Sequence, residues 1–221
     1  MTGVQTCALP ILGQTAENVA ALRGISRAAQ DEFGVRSQNL AEKGLANGFW
    51  EQDITPVTLP DGTVVSKDDG PRPGTTLEKI SQLKPVFRPD GTVTAGNCCP
   101  LNDGAAAVIV MSDVKAASLG LTPLARIVAT GVSALSPEIM GLGPVEASRK
   151  ALGRSGMAIS DVDLVEINEA FAAQVIPSYR DLGIDLATLN VNGGAIAVGH
   201  PFGMTGEIGR ASCRERVSSK V

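Results

Sequence analysis

The sequence predicts an α/β protein built in layers, and three features of the chain indicate this class. Short apolar runs typical of buried strands alternate with segments of helical periodicity along much of the chain. Hydrophobic residues make up 43% of the 221 residues but aromatic residues only 3%, which predicts a core of Ala, Val, Ile and Leu. The 25 glycines suit tightly packed layers better than a repeat or a disordered chain.

Local signals place helices and strands in alternating order. The predicted helices cover 14–22, 26–47, 75–83, 112–120, 144–154 and 170–182, the last interrupted or kinked at Pro177. The predicted strands cover 54–59, 63–66, 105–111, 124–131, 164–167 and 189–191. Ser26, Thr75 and Ser112 are placed to cap helix starts, and Gly156 to stop a helix. Because the run 105–111 is continuously apolar, it is predicted to be a strand buried on both faces.

Charge and cysteine content argue against several classes of function. The net charge is −4, and no basic stripe with interleaved aromatic residues occurs, so nucleic-acid binding is not expected. No apolar run is as long as a membrane span, so we expect no membrane association. Cys98 and Cys99 are adjacent, which is poor geometry for a structural disulfide, and no zinc-like spacing is present. A reducing, cytoplasmic setting without a metal is therefore expected.

The single histidine of the chain, His200, is the first candidate for chemistry. It lies in a glycine-rich run, Asn190–Gly206. Histidine has the side-chain pKa nearest neutrality and is the default residue for proton transfer. Glycines allow close backbone approach to a ligand, and Pro201 biases His200 towards extended geometry. From these residues alone, a proton-transfer site and an incidental histidine in a turn both remain open.

Three motifs of the chain resemble those of the thiolase family, which makes and breaks carbon–carbon bonds in acyl-CoA thioesters. They are Gly-Gly-Ala-Ile-Ala-Val-Gly-His-Pro-Phe-Gly-Met-Thr-Gly over 193–206, Asn-Glu-Ala-Phe-Ala from Asn168, and the segment 92–107. The resemblance runs from about Gly13 to Gly206. It implies a partial thiolase fold: the end of an N-terminal half with its loop domain, and most of a C-terminal half.

The resemblance also implies site residues. His200 would activate a thiol and donate to the thioester oxygen, and Asn168 would fix a water that completes the oxyanion hole. The residues implied to line the pantetheine or acyl pocket are Phe87, Cys99, Met140 and Phe171. The sequence pattern at these four positions is equally compatible with ordinary core residues. Asn168 is also compatible with a helix N-cap. Glu169 is interpreted as a helix-dipole or structural hydrogen-bonding group rather than a general base. CoA and acyl-CoA are expected as substrates, with no further cofactor.

The two ends of the chain depart from the family pattern. Residues 1–11 and 208–217, which include Cys7 and Cys213, resemble translated sequencing-library adapters. The expected organisation is a non-native segment over 1–11, the remainder of the N-terminal half over 12–113, a truncated C-terminal half over 121–207 and a non-native tail over 208–221. Finding both tails at the native locus would overturn this expectation.

The function implied by the resemblance is that of an acyl-CoA C-acyltransferase, which transfers an acyl group between a catalytic cysteine and CoA or acetyl-CoA. In the family one catalytic cysteine precedes Gly13 and the other follows Gly206, so this chain is expected to be inactive by itself. The family also implies a homodimer or homotetramer for the full-length parent, in fatty acid metabolism. Two alternatives stay open: a non-catalytic CoA-binding thiolase-like protein, and an unrelated hydrolase that uses Cys98 with His200.

Overall fold

The structure is a computed structural model that describes the backbone of residues 3–205 and the side chains of residues 11–205. Its helices are α1 (Gly3–Arg23), α2 (Arg27–Ala46), α3 (Leu77–Ser81), α4 (Asp113–Ser118), α5 (Gly143–Ser155), α6 (Ala172–Leu182) and α7 (Ala195–Val198). The remaining regular elements of these residues are 3-10 helices at Trp50–Gln52, Pro137–Leu142 and Ile159–Asp161, and strands β1 (Val57–Thr58) and β2 (Val64–Val65).

Capping signals in the sequence are confirmed at three helices. Ser26 Oγ accepts the N–H of Ala29 at 3.2 Å and so satisfies a free donor in the first turn of α2. Ser112 caps α4 in the same way. Gly156 ends α5 with φ 69°, the left-handed conformation that favours glycine. These features depend only on neighbours within a few residues, which is why sequence alone predicts them.

The starts of two helices differ from the prediction. α1 begins at Gly3 and not at Gln14. α3 is capped by Thr76, whereas the hydroxyl of Thr75, predicted as the cap, donates to the carbonyl of Arg72. The predicted cap is therefore wrong by one residue, because the preceding turn uses the first threonine.

Helix α6 also starts later than predicted, at Ala172. The N–H of Ala172 donates to the carbonyl of Asn97 at 2.9 Å, and Phe171 is extended and pairs with Cys98. This pairing keeps residues 170–171 out of the helix. The helix continues through Pro177 to its end, so the predicted interruption there does not occur.

The predicted hairpin is confirmed, with shorter strands than expected. β1 and β2 are antiparallel, with Val57 opposite Val65 and Thr58 opposite Val64. Gly62 in the turn has φ 85°, as its place in a tight connection requires. All four strand residues are exposed.

The predicted core strands do not form as regular strands in this structure. Segments 105–111, 164–167 and 189–191 make only isolated bridges, such as Ala105 with Gly203 and Val165 with Leu189, and segment 124–131 makes no bridge within residues 3–205. Segments 105–111 and 124–131 are also exposed, with Ile109 at 88% and Val128 at 60% of full exposure. A strand is buried on both faces only when neighbouring strands and helices cover it, and within residues 3–205 the only sheet is the β1–β2 pair.

The core lies where α1, α2 and α6 meet the chain between 164 and 197. Its fully or nearly buried members include Ala16, Ala20, Phe33, Val93, Ile167, Phe171, Ala172, Ala173, Val175, Ile176, Leu189 and Ile196. Small and branched aliphatic residues predominate, as the composition predicts. None of the helices in the part of the chain with described coordinates is long and apolar enough to cross a membrane.

Candidate active site

A short helix and one left-handed backbone position lead to His200. α7 ends at Gly199, which has φ 94°. The left-handed conformation at Gly199 favours glycine, and a Cβ there would lie 2.4 Å from Oδ1 of Asn102 and displace that exposed side chain. His200 follows directly, and its side chain is partly buried. The glycine-rich sequence therefore serves close packing around the histidine.

Hydrogen bonds fix the backbone of Asn168 and that of the residue before it. Asn190 Oδ1 accepts the N–H of Ile167 at 2.9 Å, and Asn190 Nδ2 donates to the carbonyl of Ile167 at 2.8 Å. Gln174 Nε2 donates to the carbonyl of Asn168 at 2.8 Å. The backbone of Asn168 is thus fixed between an extended segment and α6, which leaves its side chain to face His200.

The side chains of His200 and Asn168 meet directly. Nε2 of His200 lies 3.0 Å from Nδ2 of Asn168, and Nδ1 of His200 lies 2.6 Å from Oγ1 of Thr205. The Thr205 hydroxyl donates its own hydrogen to the carbonyl of Pro201 at 2.8 Å, so it accepts from His200. The network therefore places the proton of the neutral ring on Nδ1 and the lone pair on Nε2, where the Asn168 amide donates to it.

The surroundings favour a neutral imidazole, in which Nε2 carries the lone pair. Burial lowers the pKa of His200 from its ordinary value of 6.5, because desolvation penalises the imidazolium. Oδ1 of Asn168 is buried and has no hydrogen-bond partner among residues 3–205. Buried polar atoms are nearly always paired with protein, water or ligand. An acceptor next to the base is consequently available to a water or to a bound donor.

Glu169 is built into the protein as a hydrogen-bonding group, in agreement with its interpretation from sequence. Its carboxylate is fully buried and accepts from Ser37 Oγ at 2.5 Å, Asn190 Nδ2 at 2.8 Å and the N–H of Ile196 at 3.2 Å. Burial raises the pKa of Glu169 above its ordinary value, and these hydrogen bonds and the charge of Arg36 only partly offset that rise. The Ile196 N–H belongs to the first turn of α7, where a carboxylate is favourable.

The two described cysteines are poorly suited to nucleophilic attack. Burial raises the pKa of the Cys98 thiol to about 12 and that of Cys99 to about 11. A thiol that stays protonated near neutral pH is a poor nucleophile, which speaks against a hydrolase that uses Cys98 with His200. Within residues 3–205 no group of three or more His, Cys, Asp and Glu side chains is arranged to hold a metal ion.

Three of the four residues expected to line a pocket lie close together. The rings of Phe87 and Phe171 pack edge to face with centroids 6.0 Å apart. Cys99 lies beside them, because its N–H donates to the carbonyl of Ala170 at 3.0 Å. Met140 lies on the separate 3-10 helix Pro137–Leu142 and is 47% exposed. The structure thus groups Phe87, Phe171 and Cys99, and places Met140 on another element.

Three residues that support the site were missed in the sequence analysis. Thr205 fixes the His200 ring, and it lies within the same glycine-rich run, so its spacing to the histidine offered a signal. Gln174 holds the Asn168 backbone from the first turn of α6. Ser37 contacts Glu169 across 132 positions of sequence, and no local pattern marks it.

The chain matches the models of two protein-family domains. The thiolase N-terminal domain matches residues 5–114, and the thiolase C-terminal domain matches residues 121–215. Together the two matches cover most of the chain.

Similar curated proteins are bacterial enzymes of acyl-CoA metabolism. An acetyl-CoA acetyltransferase of Paracoccus denitrificans is 54% identical over 198 residues, which are 88% of this chain and 51% of that protein. The 3-oxoadipyl-CoA/3-oxo-5,6-dehydrosuberyl-CoA thiolase of Escherichia coli K12 is 49% identical over 199 residues, 87% of this chain and 50% of that protein. The chain spans about half the length of the curated relatives it matches.

Solved structures agree with the sequence relatives. The Bacillus anthracis acetyl-CoA acetyltransferase superposes with TM-score 0.88 at 44% identity, over 95% of this chain and 54% of that one. Human mitochondrial 3-ketoacyl-CoA thiolase in complex with CoA superposes with TM-score 0.85 at 40% identity, over 95% and 53%. The partial thiolase fold predicted from sequence is confirmed. The chain belongs to the thiolase family.

Proposed function

We propose that His200 and Asn168 are the base and one oxyanion-binding group of an acyl-CoA C-acyltransferase. The observation that carries this proposal is the contact at 3.0 Å between Asn168 Nδ2 and Nε2 of His200. The acetyl-CoA acetyltransferase activity named for the Paracoccus relative supports the reaction class. A ring whose proton is held at Nδ1 by Thr205 has one defined position for accepting a proton.

The geometry suits transfer of an acyl group between two thiols. Nε2 of His200 takes the proton of an attacking thiol, and the resulting thiolate attacks the carbonyl carbon of a thioester. The carbonyl oxygen becomes an oxyanion, which receives hydrogen bonds from the imidazolium Nε2–H and from a water bound at Asn168. Collapse of this intermediate restores the carbonyl and expels the second thiolate, which takes the proton back from His200.

The proposed substrates are CoA and acyl-CoA. The partly exposed Phe87, which packs edge to face on the buried Phe171, and the partly exposed Cys99 are proposed to contact a pantetheine or acyl chain. Met140 is proposed as a further contact because it is exposed on its 3-10 helix. CoA acts in this scheme as a substrate, and the scheme requires no resident cofactor.

We further propose that the 221-residue chain does not complete the reaction alone, because neither described thiol is suited to form the acyl-enzyme. Both are buried, with the pKa of Cys98 raised to about 12 and that of Cys99 to about 11. The same observation favours the second candidate, a thiolase-like protein that binds CoA without turnover. For the full-length parent we propose a homodimer or homotetramer in the cytoplasm; the free thiols of Cys98 and Cys99 fit a reducing compartment.

A binding experiment on the full chain tests the proposal. His200 is the sole histidine, so its ring resonances are assigned without mutagenesis. CoA is expected to shift them, whereas CoA lacking its thiol should shift them less because the base meets no sulfur. If CoA binds nowhere near His200, both candidate functions are wrong.

The reactivity of bound CoA separates the two candidates. An activating base should speed alkylation of the bound CoA thiol near neutral pH, and His200→Ala should abolish that gain while CoA still binds. Equal alkylation rates with and without His200 would favour binding without catalysis. Acetoacetyl-CoA cleavage by the unmodified chain would contradict the proposed inactivity.

A further inference from the structure

A buried carboxylate joins the two segments that carry the proposed site. Glu169 follows Asn168 in sequence, and both of its oxygens accept hydrogen bonds. Oε1 accepts from Asn190 at 2.8 Å, and Oε2 accepts from Ser37 at 2.5 Å and from the N–H of Ile196 at 3.2 Å. These three donors come from two parts of the chain: Ser37 from α2, and Asn190 and Ile196 from the segment 190–196.

One side of this network reaches Asn168. The Asn190 amide that donates to Glu169 also donates to the carbonyl of Ile167, and its oxygen accepts the N–H of the same residue. Ile167 directly precedes Asn168. Glu169 therefore holds the backbone of Asn168 from both neighbouring positions, once through the chain and once through Asn190.

The other side reaches the segment that leads to His200. Ser37 Oγ, while donating to Glu169, accepts the N–H of Gly194 at 3.1 Å. A Cβ added at Gly194 would lie 2.3 Å from Cδ of Glu169, so the backbone is closed onto the carboxylate. Ile196 is held directly, and α7 then runs to Gly199 and His200.

We propose that Glu169, with Ser37 as its link to Gly194, is a positioning residue that sets the contact between Asn168 and His200. Its effect on acyl transfer rests on the proposed function, but its effect on the geometry of His200 does not. Glu169 touches neither ring nitrogen of His200, since those are bound by Asn168 and Thr205. It acts through the backbone on both sides of the pair.

A carboxylate is required for this arrangement. Glutamine has one acceptor oxygen and one donor amide in place of two acceptors. If its oxygen took the Oε2 position, its amide would face the Asn190 amide, donor against donor. In the opposite orientation the glutamine amide would face two other donors, the Ser37 hydroxyl and the Ile196 N–H. Glu169→Gln therefore leaves at least one buried donor unpaired.

The chain offers a matched control in Glu17. This carboxylate is 4% exposed, accepts from Thr92 and from the N–H of Val93, and packs against Gly91 as Glu169 packs against Gly194. None of its partners belongs to the Asn168–His200 network. Glu17→Gln should destabilise the protein by a comparable mechanism without affecting His200.

The test measures His200 in the ligand-free chain by nuclear magnetic resonance. In Glu169→Gln, and more weakly in Ser37→Ala, the amides of Gly194 and Ile196 should exchange about tenfold faster with solvent. The pKa of His200 should rise towards 6.5 as water reaches the ring, since burial is what lowers it. Glu17→Gln should leave both quantities at their wild-type values.

Each outcome decides the proposal. If Glu169→Gln folds and leaves the pKa and ring shifts of His200 unchanged, as Glu17→Gln does, Glu169 is a structural carboxylate only. If Glu169→Gln does not fold, the pKa of His200 and the exchange rates of the Gly194 and Ile196 amides in Ser37→Ala decide whether Glu169 positions the pair. Because no CoA is present, a negative result here leaves the acyl-transfer proposal standing, and failure of CoA binding leaves this proposal standing.

Discussion

Two parts of the chain that both carry aliphatic side chains differ in how far those side chains are buried. Around α2, α6 and α7 the aliphatic side chains are buried, with Val175 at 0% and Ile176 at 2% exposure. Along 105–135 comparable residues are exposed, with Ile109 at 88% and Val132 at 78%. A helix satisfies its own backbone and needs only one covered face, whereas a strand needs partners on its edges as well. Apolar sequence thus predicts burial only where the partners are present.

The comparison is tested most strongly by one substitution made in both parts. Ile176→Ala should lower the free energy of unfolding by about 2–5 kcal/mol, because it opens a cavity in the core. Ile109→Ala removes the same atoms from an exposed position and should change that free energy by less than about 0.5 kcal/mol. Urea denaturation of both variants checks this. Similar losses at the two positions would show that 105–111 is packed in solution.

Thiol alkylation gives the next largest contrast. With its pKa raised to about 12 from 9.0, Cys98 should react about a thousandfold more slowly at pH 8 than an ordinary thiol. A cysteine introduced by Ile109→Cys should react at the ordinary rate. Mass spectrometry of peptides after timed iodoacetamide treatment measures both. Rapid native labelling of Cys98 would contradict its burial and revive a nucleophilic role.

Two helical glycines give a smaller expected difference in stability, because one lies in a packed contact and the other faces open space. A Cβ at Gly34 in α2 would lie 2.1 Å from the carbonyl oxygen of Gly96, whereas nothing lies within 4 Å of one at Gly153 in α5. Gly34→Ala should therefore cost about 1–3 kcal/mol by forcing the backbones apart. Gly153→Ala should stabilise by roughly 0.5–1 kcal/mol through helix propensity. Thermal melts measure both, and a stabilising Gly34→Ala would refute the close packing of α2.

The smallest expected effect is a pH dependence due to His200. Its folded pKa is depressed by burial below 6.5, so the unfolded chain binds the proton more readily. The contribution of His200 to stability is therefore complete above about pH 6.5 and is lost as the pH falls through the folded pKa. The free energy of unfolding of the wild type is compared with that of His200→Gln at pH 7 and at pH 5. The difference, wild type minus variant, should be smaller at pH 5 than at pH 7. An unchanged difference would contradict the burial of the ring.

What the sequence predicts depends on how far apart the interacting residues lie. The Ser26 cap and the Gly156 stop involve neighbours within one turn, and both were predicted correctly. The strand at 105–111 was wrong because strand formation depends on partners that the run itself does not contain. The family motifs indicated His200 and Asn168, yet the contact of Glu169 with Ser37 joins segments 132 positions apart. Only the folded chain brings that pair together.

The proposed role of His200 as a base is tested most directly by determining which ring nitrogen carries the proton. The claim is that Thr205 holds the proton on Nδ1, so that Nε2 presents its lone pair to Asn168. Long-range proton–nitrogen correlation spectra of the full chain above the pKa of the ring distinguish the two nitrogens, and a sole histidine makes the assignment unique. We expect a protonated Nδ1 and an unprotonated Nε2, with the preference weakened in Thr205→Val. A ring protonated on Nε2 at neutral pH would contradict it.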